Sequence, residues 1–140
     1  MALAVPQGTL QVQEFVWDFS AGDLGTVAAQ TLSGPNGASL PLGAVILDVK
    51  GVVETACVGA TATITLGTTD TATAFLASTA ITLIDAQYDV VGQAVVPTLV
   101  QVNDTASRDV LMTIGTAELT AGKIRFIFTY YVPSTWTQTE

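Results

Sequence analysis

The chain has no histidine, one cysteine and four basic side chains among its 140 residues. Without histidine, the Ser-His-Asp and Cys-His arrangements of nucleophilic catalysis are excluded in their usual form. One cysteine cannot supply the ligands of a zinc site, and Cys57 has no second cysteine with which to form an internal disulfide. We therefore predict a protein that is not an enzyme, with no catalytic residues, no metal and no cofactor.

Positive charge is also scarce, since 12 acidic side chains give a net charge of −8. Nucleic-acid phosphates and anionic membrane surfaces both require clustered lysine and arginine, so neither is an expected partner. The first residues, MALAVP, lack the basic and apolar regions of a signal peptide. Glycine and proline interrupt the long uncharged stretches, so no membrane span is predicted, and we expect synthesis in a cytoplasm.

What the chain does contain is hydrophobic residues, at 49%, and 22 threonines, while charged residues are only 11%. A typical globular domain is about 25% charged. Because loss of charge marks the centres of protein interfaces, this composition favours an oligomer or assembly component. The alternative is a monomeric β domain covered by threonine.

Strands are predicted by alternation with a period of two. Residues 123–132 give the clearest pattern, with apolar side chains at Ile124, Phe126, Phe128, Tyr130 and Val132. Residues 44–55 predict a second long strand, whose buried face would hold Val45, Leu47, Val49 and Val53. Residues 71–80 fit either a strand or one to two helical turns.

These patterns, with turn residues between them, predict about eight antiparallel strands and no certain helix. The fold class is therefore all-β, a single-domain β-sandwich of jelly-roll-like form with an extended N-terminal arm. The expected organisation is an N-terminal arm or first strand at residues 1–13, a sandwich domain at 14–132 and a polar tail at 133–140.

The first strand changes phase along its length. Leu10 and Val12 share one parity, whereas Phe15 and Trp17 take the other, so one flat strand would point one pair to solvent. Either a bulge near residues 13–14 resets the register, or the first residues form an arm that adds a strand to a neighbour's sheet. The second alternative makes Leu10 and Val12 candidate interface residues, and it predicts that deletion of residues 1–12 abolishes attachment but leaves the fold.

Two aromatic residues are expected outside the core, Tyr131 at the end of the last strand and Trp136 in the tail. Exposed aromatic side chains are typical of protein interfaces and of sugar-binding platforms. We take Tyr131 and Trp136 as candidate interface residues, with glycan binding as the alternative.

Four segments carry a resemblance to known proteins: LPLGAVI at residues 40–46, GATATITLGT at 59–68, AFLA at 74–77 and AGKIRFIFTY at 121–130. Together they resemble small structural proteins of tailed bacteriophages, most closely the capsid decoration, or cement, proteins. The resemblance covers roughly residues 40–132, and its motifs are compositional.

The resemblance implies an external homotrimer on a β-sandwich or jelly-roll scaffold. Such trimers sit at three-fold positions on the outer surface of the virion and bridge neighbouring major capsid protein subunits, without contacting DNA. It further implies synthesis in the cytoplasm of a bacterial host and carries over no catalytic residue. The alternatives are a head-fibre or tail receptor-binding module that recognises host glycans, and another shell or tail component.

Overall fold

The computed structural model describes residues 10–35, 37, 39–41, 43–69, 71–92, 100–101 and 109–132. Their secondary structure is β-strands and two short 3-10 helices, Phe19–Ala21 and Ile81–Leu83. The strands are β1 (Leu10–Asp18), β2 (Ala29–Thr31), β3 (Val45–Val58), β4 (Thr63–Gly67), β5 (Leu76–Ala80), β6 (Val90–Gly92), β7 (Val100–Gln101), β8 (Leu111–Gly115) and β9 (Ala121–Tyr131).

The strands form two antiparallel sheets. The five-stranded sheet has the order β1-β9-β3-β6, and β7 also pairs with β3. β6 and β7 pair with successive parts of β3, on the side away from β9, and so extend one edge. The four-stranded sheet has the order β2-β8-β4-β5. The prediction of an all-β sandwich with about eight antiparallel strands is confirmed.

One hydrophobic core lies between the two sheets. In β9, the apolar positions of the sequence pattern are all buried, as predicted. The Phe128 ring lies 5.2 Å from the Phe15 ring and 5.0 Å from the Phe75 ring, both in edge-to-face geometry. Because Phe75 directly precedes β5, this aromatic contact joins the two sheets.

The predicted buried face of residues 44–55 was wrong at the start of the strand. Strand β3 shifts register between Ile46 and Asp48, so Ile46 is buried while Leu47 is 44% exposed. This bulge reverses the face of the residues on its N-terminal side. It overturns the buried assignments of Leu47 and of Val45, which lies opposite the outward-facing Tyr131. Of the two alternatives for residues 71–80, the strand is confirmed, since their second half forms β5.

Strand β1 pairs with β9 in one unbroken register, from Leu10 opposite Tyr131 to Asp18 opposite Lys123. No bulge therefore explains the change of phase. Phe15 and Trp17 are buried, whereas Leu10 and Val12 lie on the outer face at 65% and 60% exposure. Residues 10–12 are part of the sheet, and residues 1–9 of the expected arm lie outside the described residues.

A glycine permits the close approach of β9 to the core. Gly122 has φ +137°, and a Cβ atom there would lie 2.5 Å from Cys57 Sγ and 3.0 Å from Trp17 Cζ3. Both the backbone conformation and the space therefore require glycine. Among the described residues, no helix is long and apolar enough to span a membrane.

Candidate interaction surface

The outer face of the five-stranded sheet is unusually apolar. In β1 and β9, the side chains opposite to the core-facing set include Leu10, Val12, Val16, Ile127 and Tyr131. Antiparallel sheets that face water on one side normally alternate apolar residues inside with polar residues outside. Here these apolar residues share the outer face with charged ones.

The most exposed part of this face lies where β1 begins and β9 ends. Its apolar members, which we call the apolar patch, are partly or largely exposed: Leu10, Val12, Val45, Leu47, Ile127 and Tyr131. Leu10, Tyr131 and Val45 form one row across three strands. An exposed patch of this kind marks a binding surface more often than a solvated one.

Beside the apolar patch lies a group of ion-paired side chains, which we call the charged cluster: Glu14, Asp18, Glu54, Lys123 and Arg125. Arg125 donates through Nη1 to Glu14 Oε1 at 2.8 Å and through Nε to Glu54 Oε2 at 2.6 Å. Lys123 Nζ lies 3.2 Å from Glu54 Oε1. The central strand β9 thus supplies the cations, and its two neighbours supply the carboxylates.

These contacts change the acidity of the cluster. Hydrogen bonds from Arg125, followed by those from Lys123, lower the pKa of Glu54 despite partial desolvation. The pKa of Asp18 is also lowered, first by the hydrogen bond from the Ser20 hydroxyl and then by its backbone N–H and by Lys123. Glu54 and then Glu14 raise the pKa of Arg125. Every charged side chain of the cluster is thus already paired with another member of the cluster.

Three of the four predicted interface residues come together on this face. Leu10 is the direct cross-strand partner of Tyr131, and Val12 is two residues further along β1. Trp136 lies outside the described residues. Sequence reasoning missed Ile127, although its position between Arg125 and Thr129 on the outward parity was a readable signal. Leu47 was missed because the bulge that turns it outward has no clear mark in the sequence.

The described residues hold no group of three or more histidine, cysteine or acidic side chains placed to bind a metal ion. Cys57 is buried, and desolvation raises the pKa of its thiol to about 12. A thiol with this pKa is almost entirely protonated at neutral pH and is a poor nucleophile. The candidate functional feature is therefore the outer face of the five-stranded sheet, with its apolar patch and charged cluster.

Comparison with known proteins gives a likeness of fold. No protein-family model and no curated protein sequence matches the chain. A chain from the capsid asymmetric unit of cyanophage Pam1 superposes with a TM-score of 0.63 at 22% identity, covering 95% of this chain and 94% of that one. The chain shares its fold with a phage capsid component.

A second solved structure agrees. A chain from the acid-stable capsid of the Helicobacter pylori bacteriophage KHP30 also superposes with a TM-score of 0.63, at 18% identity and with 92% of each chain covered. Because the coverage is nearly complete in both directions, all three chains have similar lengths. At these identities, the comparison speaks for the fold alone.

Proposed function

We propose that this chain is a non-enzymatic structural protein of a tailed-phage virion. More specifically, we propose a homotrimeric decoration protein that binds the outside of the head and stabilises contacts between major capsid protein subunits. The observation that carries the proposal is the two-sheet fold shared, over more than nine-tenths of each chain, with chains of similar length in two phage capsids. The residues quoted for the family resemblance support the same assignment.

We also infer that the two sheets form a jelly roll. The first and last strands, β1 and β9, are neighbours in one sheet, and β2 and β8 are neighbours in the other. Most successive strands cross from one sheet to the other, which is the arrangement of paired Greek keys in jelly rolls. Closing the chain in this way puts both ends of the domain at the same sheet and leaves its outer faces for assembly.

The physical character of the molecule suits a role in assembly. Its described residues offer a buried, protonated thiol and no metal-binding cluster, but they present an exposed apolar patch. A trimer that touches a shell at three points gains avidity, because the second and third contacts form at high effective concentration. Weak single contacts are therefore enough for stable decoration.

The test is binding to empty heads of the phage whose genome carries this chain, prepared without the protein. Purified chain is mixed with the heads, the heads are sedimented, and bound protein is quantified against total. We expect saturable binding with a number of sites that is a multiple of three, and heads that resist heating better when decorated. Absence of binding at micromolar concentration would contradict the proposal.

The alternative function, a glycan-binding head-fibre or tail module, is distinguished by a glycan array. A glycan-binding module gives hits that Tyr131→Ala or Trp136→Ala removes, and it does not saturate sites on bare heads. A decoration protein gives no specific hits on the array. Tyr131 is the described residue that separates the two functions. A glycan would cover it in a receptor-binding module, and another protein surface would cover it in a decoration protein.

A further inference from the structure

We propose that the outer face of the five-stranded sheet, centred on the apolar patch, is the surface through which copies of this chain contact one another. The number of copies rests on the proposed trimer, but the choice of face rests on observations of this chain alone. They are the chemistry of the two sheet faces, the distribution of charge and the internal pairing of the charged cluster.

The two sheets present different chemistry outward. On the four-stranded sheet, register places Thr65 opposite Thr113, and Thr113 opposite Ala29. Threonine suits both a strand and contact with water, so this face has the composition of a solvated sheet. The outward positions of the five-stranded sheet instead combine the charged cluster with exposed leucine, valine, isoleucine and tyrosine. The apolar residues therefore do not reflect a general lack of polar residues in the chain.

The distribution of charge indicates which partner binds to this face. The outer face of the five-stranded sheet carries the three described basic side chains, Lys50, Lys123 and Arg125, together with four carboxylates, at Glu14, Asp18, Asp48 and Glu54. Among the described residues, the net charge of this face is thus −1. The described residues elsewhere carry five carboxylates and no basic side chain: Asp23, Asp85, Asp89, Asp109 and Glu118.

Identical copies all carry this excess of negative charge, so they repel one another wherever their acidic surfaces approach. The nearly neutral sheet face is where a second copy approaches at the least electrostatic cost. A partner of opposite charge would instead be attracted to the acidic surfaces elsewhere on the molecule. The distribution therefore favours a second copy on the apolar face over a basic partner.

The charged cluster does not prevent this contact. Burial of an unpaired charge is costly, whereas a charge that is already hydrogen-bonded loses less. Arg125 is held by carboxylates on both neighbouring strands, and Lys123 contacts Glu54 and Asp18. A second copy that covers this face thus buries charged side chains that are already ion-paired within their own chain.

The exposed aliphatic residues extend across the whole sheet. Val90 in the edge strand β6 is 62% exposed, and it lies beside Val52 of β3 on the same face. The apolar contribution therefore runs from Leu10 on one edge to Val90 on the other. A contact this broad suits a standard protein interface, which buries about 800 Å² on each partner.

The test measures the assembly state of the full chain by native mass spectrometry and by sedimentation velocity over a range of concentrations. The variant is Val12→Asp in the patch, where Val12 is 60% exposed. The matched control is Val27→Asp, because Val27 is 56% exposed in the bend that leads into β2 of the other sheet. Val12→Thr, which keeps a β-branched side chain, serves as a second variant. Circular dichroism checks that each is folded.

We expect the wild-type chain and Val27→Asp to form the same multimer of the 14.5 kDa chain. Val12→Asp is expected to weaken association by at least about 100-fold, and Val12→Thr by about 3- to 10-fold. Each tenfold change in the association constant corresponds to 1.4 kcal/mol of binding free energy. Multimers of unchanged stability in both Val12 variants would overturn the choice of face and leave the proposed decoration function standing.

A wild-type chain that stays monomeric at the highest concentration would also overturn the inference, while binding to heads would still test the function separately. A third contrary result is a Val12→Asp variant that remains multimeric but no longer binds heads. That outcome would assign the face to the shell rather than to a second copy.

Discussion

Leu10 and Tyr131 lie directly opposite each other across the pairing of β1 with β9, on the outer face of the five-stranded sheet. Leu10 is the first described residue, and Tyr131 ends the last strand. The start of the first described strand and the end of the last therefore build one patch. Substitutions at Leu10 and at Tyr131 act on the same surface.

The first prediction concerns residues 1–9. Since Leu10–Asp18 pairs along its whole length with β9, removal of residues 1–12 would shorten a core strand. Removal of residues 1–9 alone leaves all of β1 in place, so the melting temperature should stay within about 3 °C. If these residues form an attachment arm, the shortened chain should lose binding to empty heads. Full occupancy by the shortened chain would refute the arm.

The second prediction uses two glycines of positive φ. Gly122→Ala should destabilise the protein by at least about 3 kcal/mol, because the new Cβ would overlap Cys57 Sγ and strain the backbone. Gly22→Ala, at φ +108° with no atom within 4 Å, should cost only about 1 kcal/mol from strain. Urea denaturation compares them, and equal losses would show that the close approach of β9 to Cys57 is not tight.

The third prediction concerns acid. The pKa of Glu54 is lowered in the folded state, so its stabilising effect is complete above the unfolded value of about 4.3 and is lost as pH falls below it. The free energy of unfolding should therefore be flat from pH 8 to about 5 and fall below about pH 4.5. Without histidine, no change is expected between pH 6 and 8.

The variant for this prediction is Glu54→Gln, which should lower the free energy of unfolding at pH 7 by about 1 kcal/mol. It should also make the fall of that free energy below about pH 4.5 less steep. Asp48→Asn is its control, because the Asp48–Lys50 pair has both side chains more than 40% exposed and should change stability by less than about 0.5 kcal/mol. An acid limb of unchanged slope in Glu54→Gln would contradict a role for this carboxylate.

The fourth prediction concerns Cys57. Burial raises the pKa of its thiol to about 12, so a thiol reagent at pH 8 should react with the folded chain at least about 100-fold more slowly than with the chain in denaturant. The reaction is followed by absorbance in both states. Comparable rates would mean that Cys57 is accessible, and the packing of Gly122 against it would then be wrong.

Strands with strict alternation could be predicted from the sequence. In β9, the inward set from Ile124 to Val132 follows from the pattern alone, because each buried side chain is apolar and aromatic residues favour strands. For residues 44–55 the predicted face was wrong at Val45 and Leu47, since one extra residue in a strand reverses its faces and leaves no fixed signature in composition. The structure is needed wherever register changes.

The candidate surface shows the same division. The change of phase at Leu10 and Val12 was visible in the sequence, but its cause was not, because an outward apolar pair looks the same in an arm, beside a bulge or on an apolar sheet face. Pairing with β9 decides among these for Leu10–Asp18. The charged cluster could not be predicted either, since Arg125 meets Glu14 and Glu54 from distant parts of the chain.

The most direct test of the proposed function is a cryo-electron microscopy reconstruction of the virion of the phage that carries this chain. The proposal predicts density for this two-sheet domain on the outer surface of the head, in groups of three. In those groups, the outer face of the five-stranded sheet should turn toward the neighbouring copy. Heads without such density, or the same domain found only on the tail or on fibres, would contradict the proposal.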